Sequence, residues 1–167
     1  MTDALGERVG LGIDSHRFAS ADANRPLILG GVTIPDHPGL DGHSDADVLT
    51  HALIDALLGA AGLGDIGQHF PSDDETWAGT DSVGLLTRTV AMLREHSYGV
   101  GNVDAVIVAE RPRLRPYVGR MEERLATALS VDAGAVNVKA TTAEQMGALG
   151  RAEGIQAQAI VRIVAVR

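Results

Sequence analysis

Apolar positions recur every second residue in some stretches of the chain and at helical spacing in others, and the two periods lay out its elements. Val9, Leu11 and Ile13 alternate with small residues and predict a first strand ending at Asp14-Ser15-His16-Arg17-Phe18. Pro26 to Pro35 reads as a β-hairpin turning at Gly30-Gly31. Val48, Leu49, Ala52, Leu53, Ala56 and Leu57 form the stripe of a first helix, which Ser44 and Asp47 open as a capping box. The Gly-rich run from Gly62 to Gly67 stops it. A second helix begins near Asp81, buries Val83, Leu86, Val90 and Leu93, and ends by Gly99. Asn102 to Glu110 is a strand too apolar to have a fully wet face. Pro116 suits the first turn of a third helix with Val118, Met121, Leu125 and Leu129 on its buried face. Val136, Val138 and Ala140 alternate in another strand, and Ile155 to Arg167 is a long final one. Between these two strands, Thr141-Thr142-Ala143-Glu144 matches a second capping box.

Strands interleaved with helices give an α/β (α+β) fold: a mixed β-sheet packed against about three main helices, with the hairpin after the first strand. At 167 residues one compact domain, 1–167, is expected, long enough to bury roughly 70% of the surface its unfolded chain exposes. Aromatics are only 3% of residues, so Val, Ile, Leu and Ala must fill the core. The net charge of −8 argues against nucleic-acid and membrane-surface partners, which call for basic patches. An anionic substrate would have to be met by local positive charge, backbone N–H groups or metal. With no cysteine, a metal site must be built from His and carboxylate. The N-terminal residues lack an apolar signal core and no run reaches membrane-spanning length, so a cytoplasmic soluble protein is expected.

The densest chemistry runs from Asp41 to Gly59. Asp47, His51 and Asp55 recur every four residues and share one side of the first helix, while His43 sits in the loop before it. A polar ladder beside an apolar stripe is costly to bury unless it binds something. Asp14 and His16, two apart on a strand, point the same way and can chelate one ion. With a histidine from the helix they make three ligands and leave a fourth position open, the pattern of catalytic zinc. His51 is the better third ligand, because the helix holds it; His43 is freer to touch substrate. At the strand end, Thr141 and Thr142 offer hydroxyls and free N–H groups to a phosphate. Glu144 would repel that phosphate unless a cation lies between, which marks it as a candidate second metal ligand. The basic loop Arg111 to Pro116 inverts the protein's sign locally and suggests an anion pocket. Together these residues point to metal-assisted phosphoryl transfer or phosphoester chemistry.

Asp14-Ser-His16, His43-Ser-Asp-Ala-Asp-Val, His51-Ala-Leu-Ile-Asp-Ala-Leu-Leu-Gly-Ala, Leu63-Gly-Asp-Ile-Gly, His69-Phe-Pro, Gly101-Asn-Val-Asp, Val136-Asn-Val-Lys-Ala-Thr-Thr and Gly150-Arg151 stand in the order found in one family. The chain resembles the 2-C-methyl-D-erythritol 2,4-cyclodiphosphate synthases of the non-mevalonate isoprenoid pathway, over nearly its whole length. The resemblance implies a homotrimer with active sites between subunits, and a cytidine diphosphate-linked small-molecule substrate. It implies Asp14, His16 and His51 as Zn2+ ligands, and Glu144 as ligand of a second divalent cation, Mg2+ or Mn2+, shared with the substrate phosphates. His43 and Thr142 take the transition-state-stabilising roles, with Ser44 beside His43. Asp65, Ile66, Gly67, Phe70, Asp73 and Asp74 match the loops around the erythritol part. Ala109, Arg113, Leu114, Arg115 and Thr141 match the cytidine and diphosphate end, and Arg151 completes the substrate-binding set.

The implied reaction is attack of the 2-phosphate of 4-diphosphocytidyl-2-C-methyl-D-erythritol 2-phosphate on the β-phosphorus of its own diphosphate, with CMP leaving. Some members of the family are fused to a cytidylyltransferase; at this length none is expected here. Arg113 stands where many members carry Lys, Ala148 where several bacterial members have Phe, and Ala152 in place of the usual Gly, the last two of which count against an isoprenoid diphosphate cavity that some members hold at the trimer axis. The alternative is a metal-dependent phosphoesterase that delivers water, not an internal phosphate, to phosphorus.

Overall fold

The computed structural model describes residues 6–42, 44–71, 73–77 and 80–166, apart from the side chain of Glu75. Strands β1 (Arg8–Arg17), β4 (Tyr98–Val108), β5 (Val136–Thr141) and β6 (Gly154–Ala165) form a four-stranded mixed sheet in the order β1-β6-β4-β5. β6 runs antiparallel to both its neighbours, and β4 and β5 are parallel. The hairpin β2 (Pro26–Leu29) and β3 (Val32–Pro38) stands as a separate two-stranded sheet. Three long helices, α1 (Val48–Ala61), α3 (Ser82–Glu95) and α4 (Val118–Leu129), cover the sheet. The short helices α2 (Ile66–His69) and α5 (Gly147–Gly150) complete an α+β fold of the expected class.

The expected hairpin turns at Gly30 and Gly31, with φ of 57° and 69°, the left-handed pair that a two-residue turn needs. β4 begins at Tyr98, four residues before the expected start, with a register shift between Val100 and Asn102 at Gly101. Gly99 and Gly101 break the alternation there, so the sequence reads as a turn, but buried Tyr98 ties the segment into the core.

α1 is the centre of the core. Eleven of its fourteen residues are buried; only His51, Asp55 and Gly59, spaced by four, form a less buried stripe. A helix apolar nearly all round must sit inside, so its one polar stripe is where it can meet a ligand. β1 lies against it through glycines: a Cβ on Gly12 would stand 1.9 Å from the Ala52 carbonyl oxygen, and one on Gly10 1.9 Å from that of Ala56. This contact turns β1's apolar residues outward, leaving Val9, Leu11 and Ile13 68%, 60% and 50% exposed. Ile160, paired with Leu11 on β6, is 51% exposed.

Two expected helix starts need correction. α1 opens at Asp47, not at Ser44: the Asp47 side chain accepts from the Thr50 N–H, while Ser44 Oγ takes the Ala46 N–H. Fully buried, the Asp47 carboxylate also accepts from the Gly30 and Gly31 N–H groups, Thr50 Oγ1 and Ser82 Oγ, and so pins the hairpin turn and the start of α3 to α1. It therefore does not belong to the polar ladder of His51 and Asp55. Burial pushes its carboxyl above the ordinary value, against the pull of the Thr50 and Gly31 N–H groups. Asp47→Asn turns one acceptor oxygen into a donor facing donors, and is expected to destabilise the fold by about 2–4 kcal/mol in chemical denaturation.

At the second place, no helix starts at Thr142. Glu144 and Gln145 take φ of 51° and 61°, which no right-handed helix continues. Glu110 Oε1 accepts from the Ala143 and Gln145 N–H groups and holds the segment as a turn.

Candidate metal centre and two clefts

The close packing of Gly10 and Gly12 on α1 carries the end of β1 past His51. Asp14 and His16, on the same face of β1, meet it there. One ligand atom from each of Asp14, His16 and His51 lies within 4.8 Å of the other two, a metal-ready cluster among the described residues. Asp14 Oδ2 is 3.2 Å from His16 Nε2 and 3.2 Å from His51 Nδ1. The far side of each ring is also fixed. His16 Nδ1 lies 2.5 Å from the Asp41 carbonyl, which can only accept, so Nδ1 carries a proton; Nε2 donates to Asp14 and would have to give up its own proton to offer a lone pair to an ion. His51 Nε2 contacts Ser44 Oγ at 3.2 Å and leaves Nδ1 to the cluster.

Burial acts to raise the Asp14 carboxyl, but hydrogen bonds and charge from His16 and His51 prevail and hold it well below the carboxylate range. The hydrogen bond to Asp14 raises His16 above its ordinary value against the effect of burial. A carboxylate with two imidazoles, partly buried and oriented from behind, fits a borderline-soft divalent ion.

The cluster opens into a cleft of about 660 Å3 that also holds Ser44, Ile66, Gly67, Phe70 and Asp73. Asp55, a member of the expected polar ladder, lines it too, as do Trp77 and Leu85, to which the sequence reading gave no role. Trp77 packs edge-on to Phe70 at 5.1 Å, with the Arg88 guanidinium over its ring. Asp55, one turn beyond His51, accepts the Ile66 N–H at 2.7 Å and so fixes the Asp65–Gly67 loop to α1. Partial burial pushes its carboxyl above the ordinary value. Asp65 itself caps α2 through Gln68 N–H, and exposed Asp74 binds the Thr76 N–H; neither lines the cleft. His43 lies outside the described residues.

A second cleft, of about 840 Å3, gathers Ala109, Arg113, Leu114, Arg115, Thr141 and Thr142, together with Glu110 and Lys139. Thr142 Oγ1 donates to Glu144 Oε1 at 2.8 Å, so the hydroxyl and the carboxylate stand together at its edge. Glu110 takes the Ala143 and Gln145 N–H groups, so two backbone donors of this junction are already in use. Arg151 lies apart from both clefts and pairs with Glu153 at 2.7 Å. The two clefts share no lining residue.

Residues 7–164 match the model of the YgbB family. The 2-C-methyl-D-erythritol 2,4-cyclodiphosphate synthase of Desulfitobacterium hafniense is 54% identical over 159 residues, covering 95% of this chain and 99% of its own. Among solved structures, the bifunctional IspDF of Campylobacter jejuni superposes with a TM-score of 0.90 at 40% identity; 95% of this chain is covered, and it spans 42% of that longer one. The CDP complex of Plasmodium falciparum IspF gives a TM-score of 0.85 at 29% identity, covering 99% of this chain and 100% of that one. Among the described residues no helix is long and apolar enough to cross a membrane.

Proposed function

Because the chain belongs to the YgbB family, whose relatives are 2-C-methyl-D-erythritol 2,4-cyclodiphosphate synthases, we propose that its two clefts hold the two ends of one substrate. The enzyme closes the cyclic diphosphate of 4-diphosphocytidyl-2-C-methyl-D-erythritol 2-phosphate and releases CMP. The observation that carries the site assignment is the meeting of Asp14, His16 and His51 at one point on the wall of an open cleft. Zn2+ bound there would neutralise and align phosphate oxygens as a Lewis acid.

The chain's own groups do the rest. Phe70 and Trp77 give the erythritol carbons an apolar wall, and Ser44 places a hydroxyl between His51 and the substrate. Arg113, Arg115 and Lys139 bring positive charge to the diphosphate, and Thr141 and Thr142 bring hydroxyls. His43 and Thr142 take the transition-state-stabilising roles. Glu144, beside Thr142, would hold Mg2+ or Mn2+ against the phosphates. Two like-charged phosphates must be pressed together, so charge neutralisation and alignment carry the catalysis and no protein nucleophile is called for. The family match over residues 7–164 supports reading the whole chain as one catalytic domain, working in the cytoplasm.

Since the clefts share no residue, the cytidine cleft of one subunit would face the metal cleft of its neighbour. The exposed stripe of Val9, Leu11, Ile13 and Ile160 is the kind of apolar face that a homotrimer would bury. Complementation tests this. Co-expressed His51→Ala and Arg113→Ala chains are expected to form mixed trimers more active than either variant alone, because an intact site can draw each residue from a different subunit. Activity no higher than the better parent would place both ends of the site in one chain. Asp55→Ala is expected to raise KM about tenfold through the freed Asp65–Gly67 loop, with metal content unchanged, as read by steady-state kinetics and elemental analysis.

A further inference from the structure

On the helical side of the sheet, apart from both clefts, a third concavity of about 790 Å3 lies between the hairpin turn, α3 and α4. Gly31 and Thr33 line it from the hairpin, Val83 and Thr87 from α3, and Arg120 and Arg124 from α4. The two arginines are one helical turn apart and share a face, where like charges oppose each other. Among the described residues neither forms an ion pair, although Glu123 stands on the same wall. Arg120 rests on the ring of Tyr117, 5.3 Å from its centroid.

Arg124 lies across the turn. A Cβ on Gly31 would come within 2.6 Å of Arg124 Nε and 2.5 Å of Val83 Cγ2, so the glycine that makes the turn also makes room for the guanidinium. Thr87 has already given its hydroxyl hydrogen to the Val83 carbonyl, so the α4 arginines are the strong donors here. In a chain of net charge −8, two arginines outside any ion pair give this wall a local excess of positive charge over the single carboxylate of Glu123. The planar guanidinium fork matches phosphate oxygens, and Val32, Val83 and Ala128 give an apolar wall for the rest of a ligand.

We infer that this cleft binds a phosphorylated small molecule, with its phosphate on Arg120 and Arg124 and its body against Val32 and Val83. Such a ligand would touch Gly31, whose N–H binds the Asp47 carboxylate at the start of the metal helix, so the cleft and the metal centre share one rigid support.

The test is a titration of the metal-loaded protein with inorganic phosphate, followed by amide 1H–15N chemical shifts. Saturable shifts are expected at Gly31, Val32, Thr33 and Arg124. The Arg120→Gln/Arg124→Gln double variant should weaken them tenfold or more, and Arg113→Ala should leave them in place. No saturable shift at these amides, or shifts of equal affinity in the double variant, would overturn the inference. The Asp14 and Thr141 amides report on the other two clefts separately, so failure here is distinct from failure of the catalytic reading.

Discussion

His51→Ala is expected to strip the metal and cost at least about 10³-fold in kcat/KM, about 4 kcal/mol of transition-state stabilisation. His51 supplies one of three ligand atoms that meet within 4.8 Å, and Asp14 with His16 alone would leave a two-ligand site. The loss should come without unfolding. His51 stands on the one less buried stripe of α1, so the metal-free variant should unfold at nearly the temperature of the metal-free parent. Elemental analysis, kinetics and a melting curve together separate lost ligation from a lost fold. His43, placed by the sequence in the loop and freer to touch substrate, should behave differently on substitution: metal kept and rate lost. A His43→Ala protein without metal beside a His51→Ala protein with it would reverse the assignment.

Gly12→Ala should be the most damaging methyl that can be added to the chain's centre. The new carbon would stand 1.9 Å from the Ala52 carbonyl oxygen and 2.7 Å from the Ala56 nitrogen, both backbone atoms that no rotamer change can move. Either α1 lifts from β1 or β1 bends, at a cost of about 3 kcal/mol or more. That corresponds to a melting temperature lower by roughly 6–12 °C. Asp14 follows Gly12 on the same face of β1, so displacement should also weaken metal binding. Gly59→Ala is the control: on the same helix, with nothing within 4 Å of the added carbon, it should stabilise by about 0.5–1 kcal/mol. Equal melting temperatures for the two variants would contradict the tight glycine–alanine contact.

How much of this could be read in advance depends on whether the information is local. The Gly30-Gly31 turn announces itself, because two consecutive left-handed residues leave little other choice. The three long helices follow from their apolar spacing. The alternation of Val9, Leu11 and Ile13 marks a strand but does not say which face packs inside; it is the glycine face, because only glycine lets α1 come so close. Ser44 to Asp47 fits a capping box, yet Asp47 is claimed by a hairpin turn seventeen residues earlier, a contact no local pattern shows. The Thr142 junction fails as a helix start for a similar reason: Glu110, just past the end of the neighbouring strand β4, holds its amides in a turn. As for the site, ordered motifs point to Asp14, His16 and His51, and the spacing of four along α1 explains why Asp55 joins them in the cleft. The separation into two clefts is a product of the tertiary fold alone, and so is the role of Trp77 as the first cleft's wall.

The most direct measurement is phosphorus NMR of the purified protein with 4-diphosphocytidyl-2-C-methyl-D-erythritol 2-phosphate, before and after removal of metal by a chelator. Cyclic diphosphate and CMP should appear together, stop when the metal is removed and resume when Zn2+ is returned. Linear hydrolysis products, or cyclisation undiminished in protein shown to be free of metal, would contradict the account.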